Sequence, residues 1–466
     1  MLIPLIVACA LFMENLDSSV VATSLPAIAR DLAVDPIALK LAFTSYLLAI
    51  AVFTPISGWC ADRFGARTVF RSAIVVFVCG SVLCGLSSSL EGFVAARIVQ
   101  GLGGAMMVPV GRLVLVKSVP RSEYVRALSW LTVPALLGPM MGPPVGGFIT
   151  TYFDWRWIFW INVPISIVGF VLVSLFIDNI KEEDTPALDR IGFLLSGLGL
   201  AGFVFGIAAS GIGLIPDSVV AVLVGGGSVL LVLYVRHALS ATHPLIDVRL
   251  LKYASFRANI IGGSVFRLGI GAIPFLLPLM LQVGFGLSAF QSGSLTFASA
   301  AGSMLMKLTA PPILRRFGFR TVIIFNVFVS SAFVMACGFF TALTPWPVIM
   351  AVLLVGGFFR SLEFTAFNAL GYADIPRPSI SQATSFAAVA QQVSVASGIS
   401  LAAFSLETAR SLRGETMLVP ADFTFAFIVS GLASCLAVLV AFGLRPDAGA
   451  EVSGHRRKAS AAEPAE

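Results

Sequence analysis

Eight ionisable side chains lie inside long apolar segments of this 466-residue chain. A charge in apolar surroundings is costly unless it is paired, faces water or exchanges a proton. The chemistry open to such residues is therefore reversible protonation and the binding of opposite charges. They are Glu14, Asp17, Arg97, Arg112, Arg267, Lys307, Arg360 and Glu363.

Two of the acids and one arginine form the most coherent set. Glu14 and Asp17 are three residues apart, so they share one face of a helix. Arg97 lies in the fourth apolar segment, with Gln100 one turn later. We expect Glu14 and Asp17 to carry an exchanged proton or to meet a cationic ligand group, with Arg97 controlling their protonation. The alternative is a static buried ion pair.

The remaining charges are less clearly paired. Arg360 and Glu363 are also three residues apart, so they either serve the same chemistry or neutralise each other locally. Arg267 has no obvious partner in the sequence, which predicts that it faces water or an anionic ligand group. Lys307 and Arg112 lie within two or three turns of a segment end and can extend to the surface, so we assign them no direct role.

The apolar segments that contain these residues are predicted to be transmembrane helices. Hydrophobic residues make up 58% of the chain and charged residues 12%, with a mean hydropathy of +0.95, whereas soluble domains carry roughly 25% charged residues. Apolar runs of about 20 residues, the length of one membrane span, recur throughout. We predict fourteen helices, at 3–25, 38–60, 70–89, 93–116, 127–151, 157–178, 191–213, 217–236, 258–282, 289–312, 320–342, 346–371, 380–406 and 422–444.

Basic residues are distributed unequally between alternate loops, which predicts the orientation. One set of loops, together with the C-terminal tail, holds most of the arginines and lysines. The alternate set holds only Arg30, Lys40, Arg156, Arg410 and Arg413. We therefore expect the first set in the cytoplasm. An even number of spans then places both termini there, in a multi-pass protein of the cytoplasmic (inner) membrane.

The sequence argues against a metalloprotein, an enzyme, a primary pump and a nucleic-acid-binding protein. The six cysteines and three histidines form no cluster at metal-ligand spacing, so we expect no metal, disulfide or cofactor. The loops are too short for a catalytic or nucleotide-binding domain, which argues against an enzyme or a primary pump. The basic residues do not share one soluble face, so we expect no nucleic-acid partner.

A repeated octet divides the chain into two halves. Residues 62–69 read DRFGARTV and residues 315–322 read RRFGFRTV, identical at six of eight positions. The match predicts two parallel six-helix halves. Their offset, 315 − 62 = 253 residues, exceeds what six spans need, so two further helices are inserted. We divide the chain into an N-terminal half (1–180), the insert (181–256), a C-terminal half (257–445) and a disordered cytoplasmic tail (446–466).

Four motifs in the first 165 residues carry a family likeness. They are LDSSVVATSLP at 16–26, GWCADRFGAR at 58–67, RIVQGLGGA at 97–105 and GPMMGPPVGG at 138–147. With the helix pattern, they make the chain resemble the major facilitator superfamily, and within it the fourteen-helix drug/proton antiporter branch. The resemblance implies an all-α membrane protein of the major facilitator fold, with two six-helix halves plus two inserted helices. It also implies that the Arg97 motif serves proton coupling.

The resemblance assigns roles to two more motifs. It implies a cytoplasmic gate loop, in which an acid latches the two halves, formed by Gly58, Asp62, Arg63, Gly65 and Arg67. It implies an antiporter motif, a smooth and kinked helix face, formed by Gly138, Gly142, Pro143, Gly146 and Gly147. The alternatives are an ordinary basic loop and an ordinary packing seam. We interpret 155–164 as an aromatic belt without chemistry.

These observations predict a secondary active transporter. We expect a proton-coupled antiporter that exports drug-like or amphipathic small molecules by alternating access. The alternatives are a metabolite symporter or facilitator of the same fold and, less favoured, a non-transporting membrane sensor. The expected partners are membrane lipid, a small-molecule substrate and protons, and the expected functional unit is a monomer.

Overall fold

The computed structural model describes residues 2–118, 124–179, 181–182, 185, 187–211, 215–415 and 417–455, apart from the side chains of 2, 116–118, 124–136 and 378. In this part of the chain every predicted helix is present and no β-strand occurs. The helices are α1 (Leu2–Asp31), α2 (Pro36–Phe64), α3 (Ala66–Leu86), α4 (Leu90–Ser118), α5 (Tyr124–Tyr152), α6 (Trp157–Phe176), α7 (Arg190–Ala209), α8 (Asp217–Ser240), α9 (Ala254–Gly284), α10 (Ala289–Phe317), α11 (Phe319–Cys337), α12 (Trp346–Gly371), α13 (Ile380–Arg413), α14 (Pro420–Phe442) and α15 (Ala450–Ser453).

Twelve helices of the described chain are long and apolar enough to cross a membrane. The two other long helices are α5 and α10, of 29 residues each. Serine, glycine and threonine replace many aliphatic residues in α10. These two helices lie against each other, since the backbone of Pro143 contacts Gly293.

Several helices differ from their predicted bounds for identifiable reasons. The sequence predicts that α1 ends at 25, before Pro26, but it continues to Asp31, because neighbouring helices let transmembrane helices tolerate proline. Helix α13 extends beyond the predicted 406 to Arg413 and ends where Gly414 adopts a left-handed conformation. Helix α2 contains two 3₁₀ turns, at Pro36–Leu39 and Thr54–Ile56, and each of them includes a proline.

The repeated octets form the same turn in the two halves. Gly65 separates α2 from α3 and has a φ of 93°, and Gly318 separates α10 from α11 with a φ of 73°. The α2–α3 connection of the N-terminal half (α1–α6) therefore corresponds to the α10–α11 connection of the C-terminal half (α9–α14), 253 residues later in the chain. Between them in sequence, α7 and α8 pack against each other, and α7 also contacts α2 through Gly197 and Val52.

The largest cluster of the hydrophobic core joins the two halves at one end, and two small clusters join α2 to α13 nearer the middle of these helices. We call the end where α1 stops and α2 begins the closed end, and the opposite end the open end. At the closed end one cluster contains residues of both halves, such as Leu25 and Phe43 with Leu276 and Leu406. At the open end the N-terminal half has its own cluster, and the C-terminal half has a separate one. The two halves are thus held together mainly at the closed end.

The described part of the predicted disordered tail has local structure. Ala450–Ser453 form the single helical turn α15. The Nδ1 atom of His455 lies 2.9 Å from the carbonyl oxygen of Arg315, beside the Gly318 turn. Disorder is predicted for 446–466; residues 446–455 are ordered here, and residues 456–466 lie outside the described residues.

Candidate functional site

A buried polar network surrounds Asp17 at the middle of α1. Arg97 Nη1 from α4 donates to Asp17 Oδ2 at 2.8 Å. Gln100 Nε2, one turn along α4, and Asn162 Nδ2, from α6, donate to Asp17 Oδ1 at 2.8 and 2.7 Å. All four side chains are buried. Three helices of the N-terminal half therefore converge on one carboxylate.

Arg97 is held mainly by this carboxylate. Its Nη1 also donates to Gln100 Oε1 at 2.6 Å, and its guanidinium lies 4.1 Å from the ring centre of Tyr46 in α2. Its Nε and Nη2 have no hydrogen-bond partner among the described residues. Because removal of one partner leaves a buried charge uncompensated, the position of Arg97 depends on the charge of Asp17.

Asp17 and Arg97, which we expect to act together, are in direct contact, and both side chains are buried inside the N-terminal half. Whether this pair exchanges a proton or is static stays a prediction. Glu14, one turn nearer the open end, is only partly buried, and its Oε2 has no partner among the described residues. The two acids that we expect to act together therefore have different surroundings.

Sequence reasoning missed Asn162, Ser81 and Tyr46. Asn162 Nδ2 also donates to Ser81 Oγ at 2.9 Å, and Ser81 donates to the carbonyl of Phe159 at 3.0 Å. The network thereby includes α3 as well as α1, α4 and α6. From the sequence we interpret 155–164 only as an aromatic belt. The side-chain amide of Asn162 inside this apolar stretch could have indicated a buried polar contact, because a buried amide needs a hydrogen-bond partner.

One face of α5 consists of glycines spaced four residues apart, and α1 lies in the groove that they leave. These are Gly138, Gly142 and Gly146. A Cβ at Gly142 would overlap Ser19, and one at Gly146 would lie 2.7 Å from Thr23 Oγ1. The smooth face predicted for the antiporter motif therefore receives the helix that carries Asp17.

A second face of α5 meets the opposite half. A Cβ at Gly147 would overlap the carbonyl oxygen of Ala289, and a Cβ at Gly293 would overlap that of Pro143. Phe290 N also donates to Thr151 Oγ1 at 2.9 Å. Helix α5 therefore lies between α1, which carries Asp17, and α10 of the C-terminal half.

The turn at Gly65 packs on the residues that follow α6. Asn179 Oδ1, which sequence reasoning also missed, accepts from Thr68 N at 3.2 Å and from Thr68 Oγ1 at 3.3 Å. A Cβ on Gly65 would overlap the Asn179 amide. Glycine is required here both by the positive φ and by this close approach.

The other residues of the predicted gate loop surround this turn. Arg67 Nη1 donates to the carbonyl of Ile177 at 3.4 Å, and Glu182 N donates to the carbonyl of Asp62 at 3.1 Å. Gly58 and Arg63 are exposed. These backbone contacts join the loop to the residues that follow α6, and the latch between halves through Asp62 stays a prediction.

Replacing Gly65 by alanine should destabilise the protein by about 1–3 kcal/mol, the usual cost of a strained backbone conformation. The reason is the φ of 93° together with the overlap with Asn179. Thermal unfolding of the detergent-solubilised protein measures the effect. Gly58→Ala is the matched control, since no atom lies within 4 Å of its added Cβ. Equal melting temperatures for the two variants would contradict this account.

Arg360 and Glu363 point to different neighbours in the C-terminal half. Glu363 Oε2 accepts from Asn326 Nδ2 at 2.8 Å, whereas Arg360 Nη2 donates to Ser299 Oγ at 2.7 Å. Local neutralisation, which their spacing allowed, is therefore not found among the described residues. Glu363 is fully buried, and its Oε1 has no partner there.

Arg267 occupies a separate place on the inner side of α9. It is 5% exposed, and its Nη2 donates to Asn368 Oδ1 at 3.1 Å. Its Nε has no hydrogen-bond partner among the described residues. The structure thus places Arg267 against α12 and not beside an acid.

Comparisons with known proteins agree with this architecture. A family model described as Major Facilitator Superfamily matches residues 7–399 and, in a second match, residues 259–465. The chain is 38% identical over 403 residues to the "Putative multidrug resistance protein MdtD" of Salmonella paratyphi A, covering 86% of this chain and 85% of that protein. The values are the same for the protein of that name from Salmonella typhimurium.

Solved structures of low sequence identity share the fold. The POT family transporter PepTSo superposes with a TM-score of 0.68 at 15% identity, over 95% of this chain and 97% of that one. A D-xylose-proton symporter gives 0.68 at 15% identity, over 96% and 98%. The human organic anion transporter MFSD10 gives 0.61 at 14% identity, over 94% and 98%.

Proposed function

The chain belongs to the major facilitator superfamily, and we propose that it is a proton-coupled antiporter exporting drug-like or amphipathic small molecules by alternating access. As a secondary transporter it is not an enzyme. The Salmonella relatives carry the name "Putative multidrug resistance protein MdtD", which supports this substrate class and the outward direction.

The observation that carries the proposal is the carboxylate of Asp17, which accepts hydrogen bonds from three side chains and lies on the helix that packs in the glycine groove of α5. A deprotonated Asp17 binds Arg97, Gln100 and Asn162 together. A proton on Asp17 removes the negative charge and weakens the hold on Arg97. Helix α4 can then shift relative to α1, so the protonation state biases the conformation of the N-terminal half.

Helix α5 connects the Asp17 network mechanically to the C-terminal half. Helix α1 lies in the groove of Gly142 and Gly146, and the other face of α5 contacts α10 through Gly147. A small displacement of α1 therefore changes the packing of the two halves. Packed interfaces tend to switch between discrete arrangements, which is what alternating access requires.

The asymmetry of the core supports the same cycle. The halves share their largest core cluster at the closed end, whereas each half has a cluster of its own at the open end. The closed end is also bridged by Gln282 Nε2, which donates to the Thr23 carbonyl at 2.8 Å, and by Arg410 with Asp35. Transport requires these contacts to break while the open end closes.

The remaining roles form part of the proposal. The open end is cytoplasmic, as the basic loops indicate, so both termini face the cytoplasm and substrate enters there. All fourteen long helices span the inner membrane, and the monomer is the working unit without a cofactor. Glu14, partly exposed, passes protons to Asp17 or meets a cationic substrate group, and Glu363 is a second proton carrier.

A proton-release assay in proteoliposomes tests the function. Liposomes holding the full chain in a known orientation are exposed to cationic, neutral and anionic compounds while internal pH is recorded. We expect at least one compound to drive proton movement opposite to its own flux. Movement of protons and compound in the same direction would instead indicate a symporter, and no compound-dependent pH change would rule out antiport.

A further inference from the structure

A partly buried and mostly polar face runs along α12. It consists of Ser361, Phe364, Thr365 and Asn368, all partly buried and spaced so that they stack on one side of the helix. The acid of this segment, Glu363, points away from it to Asn326 in α11. The face therefore has hydrogen-bonding groups but no negative charge of its own.

Two cations from different helices lie on this face. Arg267 of α9 donates to Asn368 Oδ1 at 3.1 Å, and its guanidinium lies 4.8 Å from the ring centre of Phe364. Lys307 Nζ of α10 donates to Thr365 Oγ1 at 2.8 Å. Asn368 and Thr365 are one turn apart, about 4.5 Å along the helix axis. The two cations are therefore anchored within one turn of each other.

Neither cation has a carboxylate partner within 4 Å in the described part of the chain. Arg267 is 5% exposed, and one of its donors, Nε, is buried without a partner. A buried guanidinium with so few contacts is stabilised strongly by an added anion. Its planar set of donors fits a carboxylate well, and a lysine supplies a second positive charge.

In the internal repeat, Arg267 occupies the position that is equivalent to an acid of the N-terminal half. Position 267 corresponds to position 14, since 267 − 14 = 253 is also the offset of the octets. The first helix of one half thus carries Glu14 where the first helix of the other carries Arg267. The two halves present opposite charges at equivalent places, and the positive one belongs to the C-terminal half.

We propose that Arg267 and Lys307 form a subsite for the acidic group of the transported molecule, so that its substrates carry a carboxylate. This inference rests on the proposed transport function and narrows the substrate class to organic acids and zwitterions. It also gives Lys307 a direct role, which its place near a segment end does not predict.

A pair of dyes that differ in one carboxylate tests the subsite. Rhodamine B carries a free carboxylate, and rhodamine B ethyl ester keeps the cationic ring system without it. Fluorescence polarisation gives the Kd of each for the purified full-length protein. We expect rhodamine B to bind about tenfold more tightly, the size of one charge-assisted hydrogen bond. Arg267→Gln should remove this preference and leave the affinity for the ester unchanged.

Two further variants keep the test decisive if Arg267→Gln folds poorly. Lys307→Gln should reduce the preference less, because its side chain is exposed. Arg267→Lys keeps the charge and should keep part of the preference. Arg257→Gln, on the exposed part of the same helix, is the matched control and should bind both dyes as the wild type does.

Two results would overturn the subsite. One is a wild-type protein that binds the ester as well as or better than the carboxylate. The other is an equal loss of affinity for both dyes in the Arg267 and Lys307 variants. Either result leaves the proton-release assay unaffected, so failure of the subsite is distinguishable from failure of the transport proposal.

Discussion

Asp17→Asn should abolish proton-driven export while leaving exchange of substrate across the membrane intact. Asparagine has the shape of a permanently neutral Asp17, so the variant still moves between conformations but no longer links the movement to a proton. We expect uphill export in proteoliposomes to fall to background. Substrate counterflow, which needs no proton gradient, should stay within about twofold of the wild type, a change below about 0.5 kcal/mol.

A double variant separates loss of coupling from loss of stability. In Asp17→Asn the guanidinium of Arg97 is left buried without its anion, which costs about 3–5 kcal/mol in comparable cases. Asp17→Asn with Arg97→Gln removes both charges, so we expect this protein to melt at a higher temperature than the single variant. It should still fail in uphill export.

The outcome also decides between a switching pair and a static one. If Asp17 and Arg97 only stabilise the fold, the double variant recovers both stability and uphill export. Wild-type rates of uphill export in either variant would mean that another group, such as Glu14 or Glu363, carries the proton. If the pair switches, the double variant should recover a higher melting temperature but not uphill export.

Gly147→Ala should stop transport by wedging the two halves apart at the closed end. The added methyl group would overlap the Ala289 carbonyl and lie 2.9 Å from Phe290 Cα, both main-chain atoms of α10. Overpacking of this kind costs about 1–3 kcal/mol, which is comparable to the free-energy differences between conformations of one protein. We expect turnover to fall about tenfold or more.

Spin labels can follow the separation directly. Labels on Ser89 and Thr344, in the α3–α4 and α11–α12 connections at the closed end, report the distance between the halves in a background without other reactive thiols. In Gly147→Ala the distribution should shift to longer distances. Unchanged distances together with normal turnover would contradict the proposed role of this contact.

Two glycine variants serve as controls. Gly225→Ala in α8 adds the same methyl group where no atom lies within 4 Å, so it should leave turnover and distances unchanged. Gly146→Ala, one residue before Gly147, meets Thr23 of the same half. It should impair transport by disturbing α1, but it should not lengthen the distance between labels.

Much of the architecture follows from the order of residues along the chain. All fourteen predicted helices are present in the described chain, because apolar segments in a membrane satisfy their backbone groups almost only as helices. The octet repeat located the equivalent Gly65 and Gly318 turns. The contact between Asp17 and Arg97 could be expected because a buried charge needs a partner and few candidates exist.

The order of residues thus predicts the helices, their repeat and the charges that must be accommodated. Which face of each helix meets which neighbour is visible only in the packed fold. Asn162 on the Asp17 carboxylate, Asn179 beside Gly65 and the divergence of Arg360 from Glu363 all depend on how helices rotate about their axes. Apolar helices in a membrane show little contrast between buried and lipid-facing sides, so the packing of distant segments, and not the local pattern, selects the contacts.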